Sequence, residues 1–377
     1  MIDKNRLLDE FIKLASFDSE SFKEIDISNY VYKTLVDLGL DVKIDNVGDI
    51  LASKNNFDFK HWKCNIYAYL KGNKDDSILF SSHLDTVAPG ISKHVVVDDK
   101  GIIKSDGNTV LGADDISGLV AIIESIRIIK ENNLDHNDIE LLIPIAEEPY
   151  CQGTRYFDFS QIKSKKAYVL DLEGEIGNAA ISAPSIISLT IEIFGKSAHA
   201  GFRPEDGINA ISILSNSLSK IKVGRINDKT TVNFGKLYGG LQRNSVPDYV
   251  NIIGEIRSLD SSEAINLLKE IEIIFNKEAK LLGGSIKLEF TEEIRAYSVD
   301  KNSDTVKKYE KVLNNLGLKK PKLITTFGGS DNNNLNKNGI EGIVISNGMN
   351  NCHTKEEYTS IDDLYKATLI TLELMIN

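Results

Sequence analysis

The apolar positions along the chain follow two different periods. Up to residue 184, short and nearly unbroken apolar runs alternate with stretches of helical period. "MIDKNRLLDEFIKLAS" and "IDISNYVYKTLVDLGL" space their apolar residues three to four apart, which predicts amphipathic helices, the second stopped by a glycine. "DVKIDNVGDILASK", "NIYAYLKG", "SILFSSHLD", "DIELLIPIAEE" and "KAYVLDLEG" predict strands, and "ISGLVAIIESIRIIKEN" a strong helix. Apolar strands alternating with helices predict an α/β fold with a mostly parallel sheet flanked by helices.

Near Ser185 the period changes to two. "SIISLTIEIFGKSA" alternates apolar and polar as a half-exposed antiparallel strand does. A helix ("INAISILSNSLSKI"), two strands ("TTVNFGKLYGG", "VNIIGEIRSLD"), a long helix ("SSEAINLLKEIEIIFNKEAKLLGG") and a strand ("SIKLEFTEE") follow. That order, β-α-β-β-α-β, is a ferredoxin-like unit. Beyond it the first pattern resumes: a helix over 304–316, the strand "KLITTF", a Gly-rich loop, the strand "GIVISNG" and a final amphipathic helix. The chain therefore predicts a discontinuous domain, 1–184 with 295–377, interrupted by an inserted α+β lid at 185–294.

The length, 377 residues, suits two such domains. A net charge of −11 argues against nucleic acid and against an anionic membrane surface as partners. No apolar run approaches the ~18 residues of a membrane span. The three cysteines, Cys64, Cys151 and Cys352, lack CxxC spacing and read as reduced thiols. With an N-terminus that has no signal-peptide core, they predict a cytoplasmic protein.

The chemistry gathers where apolar runs stop. His83 and Asp85 close the run 77–87 and, by strand alternation, share a face. Asp114 and Asp115 precede a helix, Glu147 and Glu148 end one strand, Asp171 ends another, and His353 follows the last. Singly, an acidic pair in a loop is usually just solvated, and a strand-end histidine is as often a surface residue. Jointly, they place about five carboxylates in one crevice at the strand ends, where open α/β sheets bind ligands. Such crowding needs compensation, which two divalent cations would supply. Imidazole nitrogen with carboxylate oxygen suits zinc, with cobalt or manganese as substitutes. Two metals ~3.5–4 Å apart suit hydrolysis. Cys352, beside His353, reads as structural.

The runs "HLDTVAPG", "SDGNTVLGADDISGLVAII", "EE", "LDLEG" and "GGSDNNNLNKNGIEGIVISNGMNNCHTKEEY", in that order, resemble the co-catalytic dizinc family of aminopeptidases, carboxypeptidases and deacylases, and most of all its peptidase T-like branch. The resemblance covers nearly the whole chain. It implies that His83 and Asp171 bind one zinc, that Glu148 and His353 bind the other, and that Asp114 bridges the two. It makes Asp85 the group that orients His83, and Glu147 the general base. It implies a cis Asp114–Asp115 bond. In the lid it gives His199 to the oxyanion, often from the partner subunit. Asn244 and Arg257 would hold a substrate carboxylate or oxyanion, and Gly328 and Gly329 of "FGGSD" would let backbone approach the substrate. The implied protein is a tripeptide aminopeptidase-like enzyme acting on short peptides, with two zinc ions per chain and a homodimer formed through the lid. A dizinc deacylase or carboxypeptidase acting on N-acyl amino acids would use the same metals. A metal-binding protein without chemistry would have no need of Glu147. The chain departs from the family after the paired glutamates, where "EEPYCQGTRYF" replaces an Ile-Gly-Leu type turn.

Overall fold

A computed structural model describes residues 2–55 and 64–377. The chain divides into two compact units. The first runs to Ser182 and resumes at Ser298–Thr326 and Ser330–Asn377; the second holds Ala183–Tyr297 with Phe327–Gly329.

The main sheet of the first unit has nine strands among the described residues. Its centre is parallel: Asp138–Ile143, Ser77–Ser81, Lys166–Leu172 and Glu341–Ser346, in that spatial order. Phe80 lies opposite Leu141 on one side and Tyr168 on the other. Antiparallel neighbours, Ile66–Leu70 and Ala179–Ala183, flank this centre. Its strands are buried on both faces, which is why they read as continuous apolar runs rather than alternating ones. On one face Leu79, Leu142, Val169 and Val344 pack with Phe157 and Leu335. The helix Ala113–Asn132 packs against Lys166–Leu172 and is covered by Lys4–Ala15 and Ile361–Ile376. It is buried on nearly every side, so its sequence carries no polar stripe.

The second unit is an antiparallel sheet in the order Gly224–Arg225, Thr230–Gly239, Tyr249–Ser258, Ser185–Phe194, Ser285–Ile294. The helices Ala210–Leu218 and Ser261–Leu281 bury its alternate residues, among them Ile187, Leu189, Ile191, Ile252 and Ile256, with Phe275 of the second helix packed among them. Asn209 and Asp260 cap these helices by accepting from the first free amides. Apart from the two-residue strand, this is the ferredoxin-like arrangement. No helix among the described residues is long and apolar enough to cross a membrane.

The structure differs from the sequence expectation in three places. The segment expected as one strand, "DVKIDNVGDILASK", splits into the strand Asp41–Ile44 and the helix Val47–Asn55. Pairing ends at Ile44 opposite Ile66, and the Asp45 carboxylate accepts from the Val47 amide at 3.1 Å, which turns the chain into a helix burying Val47 and Leu51. The Gly-rich loop contains a helix, Asp331–Lys337, where the Asn333 side chain accepts from the Ser330 amide. A small antiparallel sheet, Val95–Val97, Ile102–Ser105 and Tyr358–Ser360, had no legible pattern because its strands are three or four residues long.

Candidate metal centre

The parallel strands deliver their acids and imidazoles to one end of the sheet. Ser77–Ser81 stops before His83, and Asp138–Ile143 stops before Glu147 and Glu148. Asp171 lies in the last turn of pleat of Lys166–Leu172. Asp114 opens the helix Ala113–Asn132 with non-helical dihedrals (φ −81°, ψ 99°). His353, at φ 64°, lies in a loop closed by paired backbone bonds between Asn350 and Tyr358. That closure depends on the small sheet, which anchors Tyr358–Ser360.

These residues form two sets of three whose ligand atoms lie within 4.8 Å of one another: His83, Asp114 and Asp171, and Asp114, Glu148 and His353. Asp114 belongs to both. Its Oδ1 is 3.1 Å from His83 Nε2 and its Oδ2 is 3.2 Å from His353 Nε2. Glu148 Oε2 lies 3.0 Å from His353 Nε2, and Asp171 Oδ1 4.0 Å from His83 Nε2. Glu147 stands outside both sets, with Oε2 3.9 Å from His83 Nε2.

The strand-face argument for His83 and Asp85 fails, because both lie beyond the end of the strand. Loop geometry joins them instead. His83 Nδ1 is 2.9 Å from the Asp85 backbone carbonyl and 3.5 Å from its carboxylate. That carboxylate mainly holds the next strand end: it accepts from the amides of Glu147 (2.8 Å) and Glu148 (3.1 Å) and from the Ser21 hydroxyl (2.7 Å). Asp85 thus fixes an imidazole and two glutamates together.

Three further residues shape the centre, and the sequence reading passed over two of them. Glu357 is buried and accepts from the amides of Leu111, Gly112 and Asp114 at 2.8, 2.7 and 2.9 Å, pinning the backbone that presents Asp114. Asn347 donates to Asp115 Oδ1 (2.6 Å) and to the Leu170 carbonyl (2.8 Å). Asp115 itself accepts from the His83 amide at 3.2 Å, and the Asp114–Asp115 bond is cis. Glu357 carried no signal of its own in "TKEEY", since its partners lie more than two hundred residues away.

The electrostatics fit cations. Burial, then the charges of Asp331 and Glu148, raise Glu147 well above the usual carboxylate range; burial, then Asp114 and Glu147, do the same for Asp171. Burial and the Asp114 charge raise Glu148. Burial would depress the His83 imidazole, but its contacts with Asp114 and Asp85 and the Glu147 charge outweigh that and raise it. Bonds to Asp114 and Glu148 push His353 up to about 11. Carboxylates raised by burial and their own crowding, beside imidazoles raised by those carboxylates, mark a place where positive charge is favoured. Glu148 Oε1 is buried with no hydrogen-bond partner among the described residues. A carboxylate-rich set with two imidazoles and an orphaned carboxylate oxygen fits two divalent cations sharing Asp114.

The second unit carries the remaining candidates. His199 is exposed; its Nδ1 accepts from the amides of Gly201 (3.1 Å) and Phe202 (3.2 Å), and its ring lies 4.3 Å from that of Phe202. With Nδ1 accepting, Nε2 is the ring nitrogen left to donate. Asn244 is exposed, and its carbonyl accepts from the Ala200 amide. Arg257 is bound by Glu255 at 2.8 and 3.2 Å and by the Phe327 carbonyl at 2.9 Å, so a substrate carboxylate would have to share or displace Glu255. A Cβ on Gly329 would lie 2.0 Å from Ile294 Cδ1, so a larger residue there would have to displace the end of that side chain. Its neighbour Gly328 belongs to the same short segment of this unit.

Comparison with known proteins follows the same lines. The Peptidase dimerisation domain profile matches residues 181–281, and the Peptidase family M28 profile matches residues 65–213. The protein YqjE of Bacillus subtilis is 36% identical over 376 residues, covering 100% of this chain and 99% of that one. The crystal structure of aminopeptidase PepT from Bacillus cereus superimposes with a TM-score of 0.91 at 33% identity, covering 100% of this chain and 98% of that one. A tripeptidase from Staphylococcus aureus gives 0.92 at 32% with the same coverage. The chain belongs to the peptidase T-like branch of the M20 metallopeptidases. It is a metallopeptidase acting on short peptides, and the two ligand sets sharing Asp114 offer places for two metal ions.

Proposed function

We propose that this metallopeptidase is a cytoplasmic dizinc aminopeptidase that removes the N-terminal residue from tripeptides and similar short peptides, with Glu147 as general base. The observation that carries the reading is the placing of Glu147: beside His83, adjoining both ligand sets, a member of neither. His83, Asp171, Glu148 and His353 would hold the metals, with Asp114 between them. Metals held there would supply Lewis-acid polarisation of the scissile carbonyl and acidification of the attacking water. Glu147 takes the proton from that water and returns it to the leaving amine. Asp85 keeps Glu147 and Glu148 in place through their amides. His199 donates to the developing oxyanion through Nε2. Asn244 and Arg257, with the Gly328–Gly329 backbone, orient the substrate's carboxylate end. The Peptidase dimerisation domain match supports a homodimer through the second unit.

The test is a panel of free tripeptides, N-blocked tripeptides and N-acyl amino acids. Turnover confined to the free peptides, lost on chelation and restored by zinc, cobalt or manganese, is expected. Preference for the N-acyl amino acids would move the enzyme to the deacylases. A second expectation concerns His199. His199→Ala should lower kcat about 10²-fold with metal content unchanged, as loss of an oxyanion donor does. If the donor crosses a dimer, mixing His199→Ala with Glu147→Gln chains restores part of the activity. Verified mixed dimers without any rescue would confine His199 to its own chain.

A further inference from the structure

The turn that carries Glu147 also holds a buried thiol, Cys151. We propose that Cys151 is a positioning residue: its S–H donates to Glu147 Oε1 and so leaves Oε2 as the oxygen that accepts the proton. This rests on Glu147 acting as the general base. Cys151 Sγ lies 3.2 Å from Glu147 Oε1, and the residue is only 1% exposed. Glu147 Oε2 lies 3.9 Å from His83 Nε2. One carboxylate thus has its two oxygens divided between a sulfur donor and the metal-binding side.

The local chain enforces the pairing. Cys151 adopts a left-handed φ of 53°, uncommon for a residue with a side chain. Its amide returns to the Glu147 carbonyl, and the Gln152 amide to the Ala146 carbonyl. Its own carbonyl accepts from the Arg155 amide (2.9 Å), the Thr154 hydroxyl (3.3 Å) and the Asn334 side chain (3.4 Å). The next glycine, Gly153, packs where a Cβ would lie 2.2 Å from the Ile145 carbonyl oxygen. The sulfur is therefore fixed from the backbone outward.

The choice of sulfur has a chemical sense. A thiol is a weak donor. It orients a carboxylate while withdrawing less of its charge than a hydroxyl or an amide would, so the base keeps its basicity. Burial, with Glu147 and Asp331 nearby, pushes the thiol up, which keeps the donated proton on sulfur.

The experiment compares Cys151→Ser, Cys151→Ala and Cys151→Val in the full, metal-loaded chain. A donor role predicts that serine stays nearest the parent kcat. Alanine and valine should lose roughly 5- to 20-fold, with KM and metal content unchanged. A packing role predicts the opposite order, because a buried hydroxyl costs more than an apolar side chain of similar size. The infrared S–H stretch of the metal-free protein gives a readout independent of turnover. The band that disappears in Cys151→Ser should move to higher frequency in Glu147→Ala. Parent-level kcat in Cys151→Ala, losses in serine no smaller than in valine, or an unmoved band would each overturn the proposal. Glu147→Gln assayed alongside separates the two ideas. Turnover surviving there removes the base assignment, while the S–H band still reports whether thiol and carboxylate are bonded.

Discussion

Asp114→Ala is expected to empty both metal positions together and to reduce activity at least ~10³-fold, the scale set by removing metal-assisted catalysis. Asp114 is the one residue common to the two ligand sets, with one oxygen 3.1 Å from His83 and the other 3.2 Å from His353. Truncation leaves each set with two donors and leaves two imidazoles without their shared carboxylate. A substitution in one set alone, such as Asp171→Ala, should behave differently: one metal is lost first and the other is retained. Metal content per chain, measured after dialysis against a trace of zinc, checks both. Two ions still bound to Asp114→Ala would show that it does not bridge. The fold should survive, because His83 keeps Asp85 and Glu147 beside it and His353 keeps Glu148 when Asp114 is truncated. A preserved melting transition of the chelated variant would show that the lost activity is not lost structure.

The sequence displayed the scaffold better than the details of the centre. Parallel strands buried on both faces must be apolar throughout, so Ser77–Ser81, Asp138–Ile143 and Lys166–Leu172 stand out as runs with acids at their ends. The second unit stands out because one face of its sheet is packed, which imposes alternation on Ser185–Phe194. What stayed hidden depends on contacts distant in sequence. Glu357 is unremarkable among neighbouring charges until the amides of Leu111, Gly112 and Asp114 are seen to converge on it. The three-residue strand Val95–Val97 is too short for any period to register, yet its sheet anchors the loop that carries His353. The pairing of His83 with Asp85 is a further case. Spacing suggested a shared strand face, whereas the chain leaves the strand first and uses the Asp85 carbonyl as well as its carboxylate. Arg257 shows the limit from the other side. Alternation places it on a face with Glu255 and Asp260 near in sequence, and the structure shows that Glu255 is the one paired with it.

Glu147→Gln should separate chemistry from metal binding. The amide is nearly isosteric with the carboxylate, so the turn, the Asp85 clamp on its backbone amide and the packing around it stay as they are. Glu147 belongs to neither ligand set, and metal content should remain at the parent value. The amide oxygen can still accept the Cys151 S–H, but the group cannot take a proton from water. General-base catalysis contributes ~10²- to 10⁴-fold, and kcat should fall by that factor. KM should change little, since the lost interaction acts on the transition state rather than on bound peptide. Glu148→Gln, one residue along, provides the contrast: it alters a member of the set with Asp114 and His353, and its loss of activity should come with loss of metal. If Glu147→Gln turns over peptides at close to the parent rate, the proton goes to another group. If it loses a metal ion instead, Glu147 is a ligand, and the roles of the paired glutamates must be exchanged.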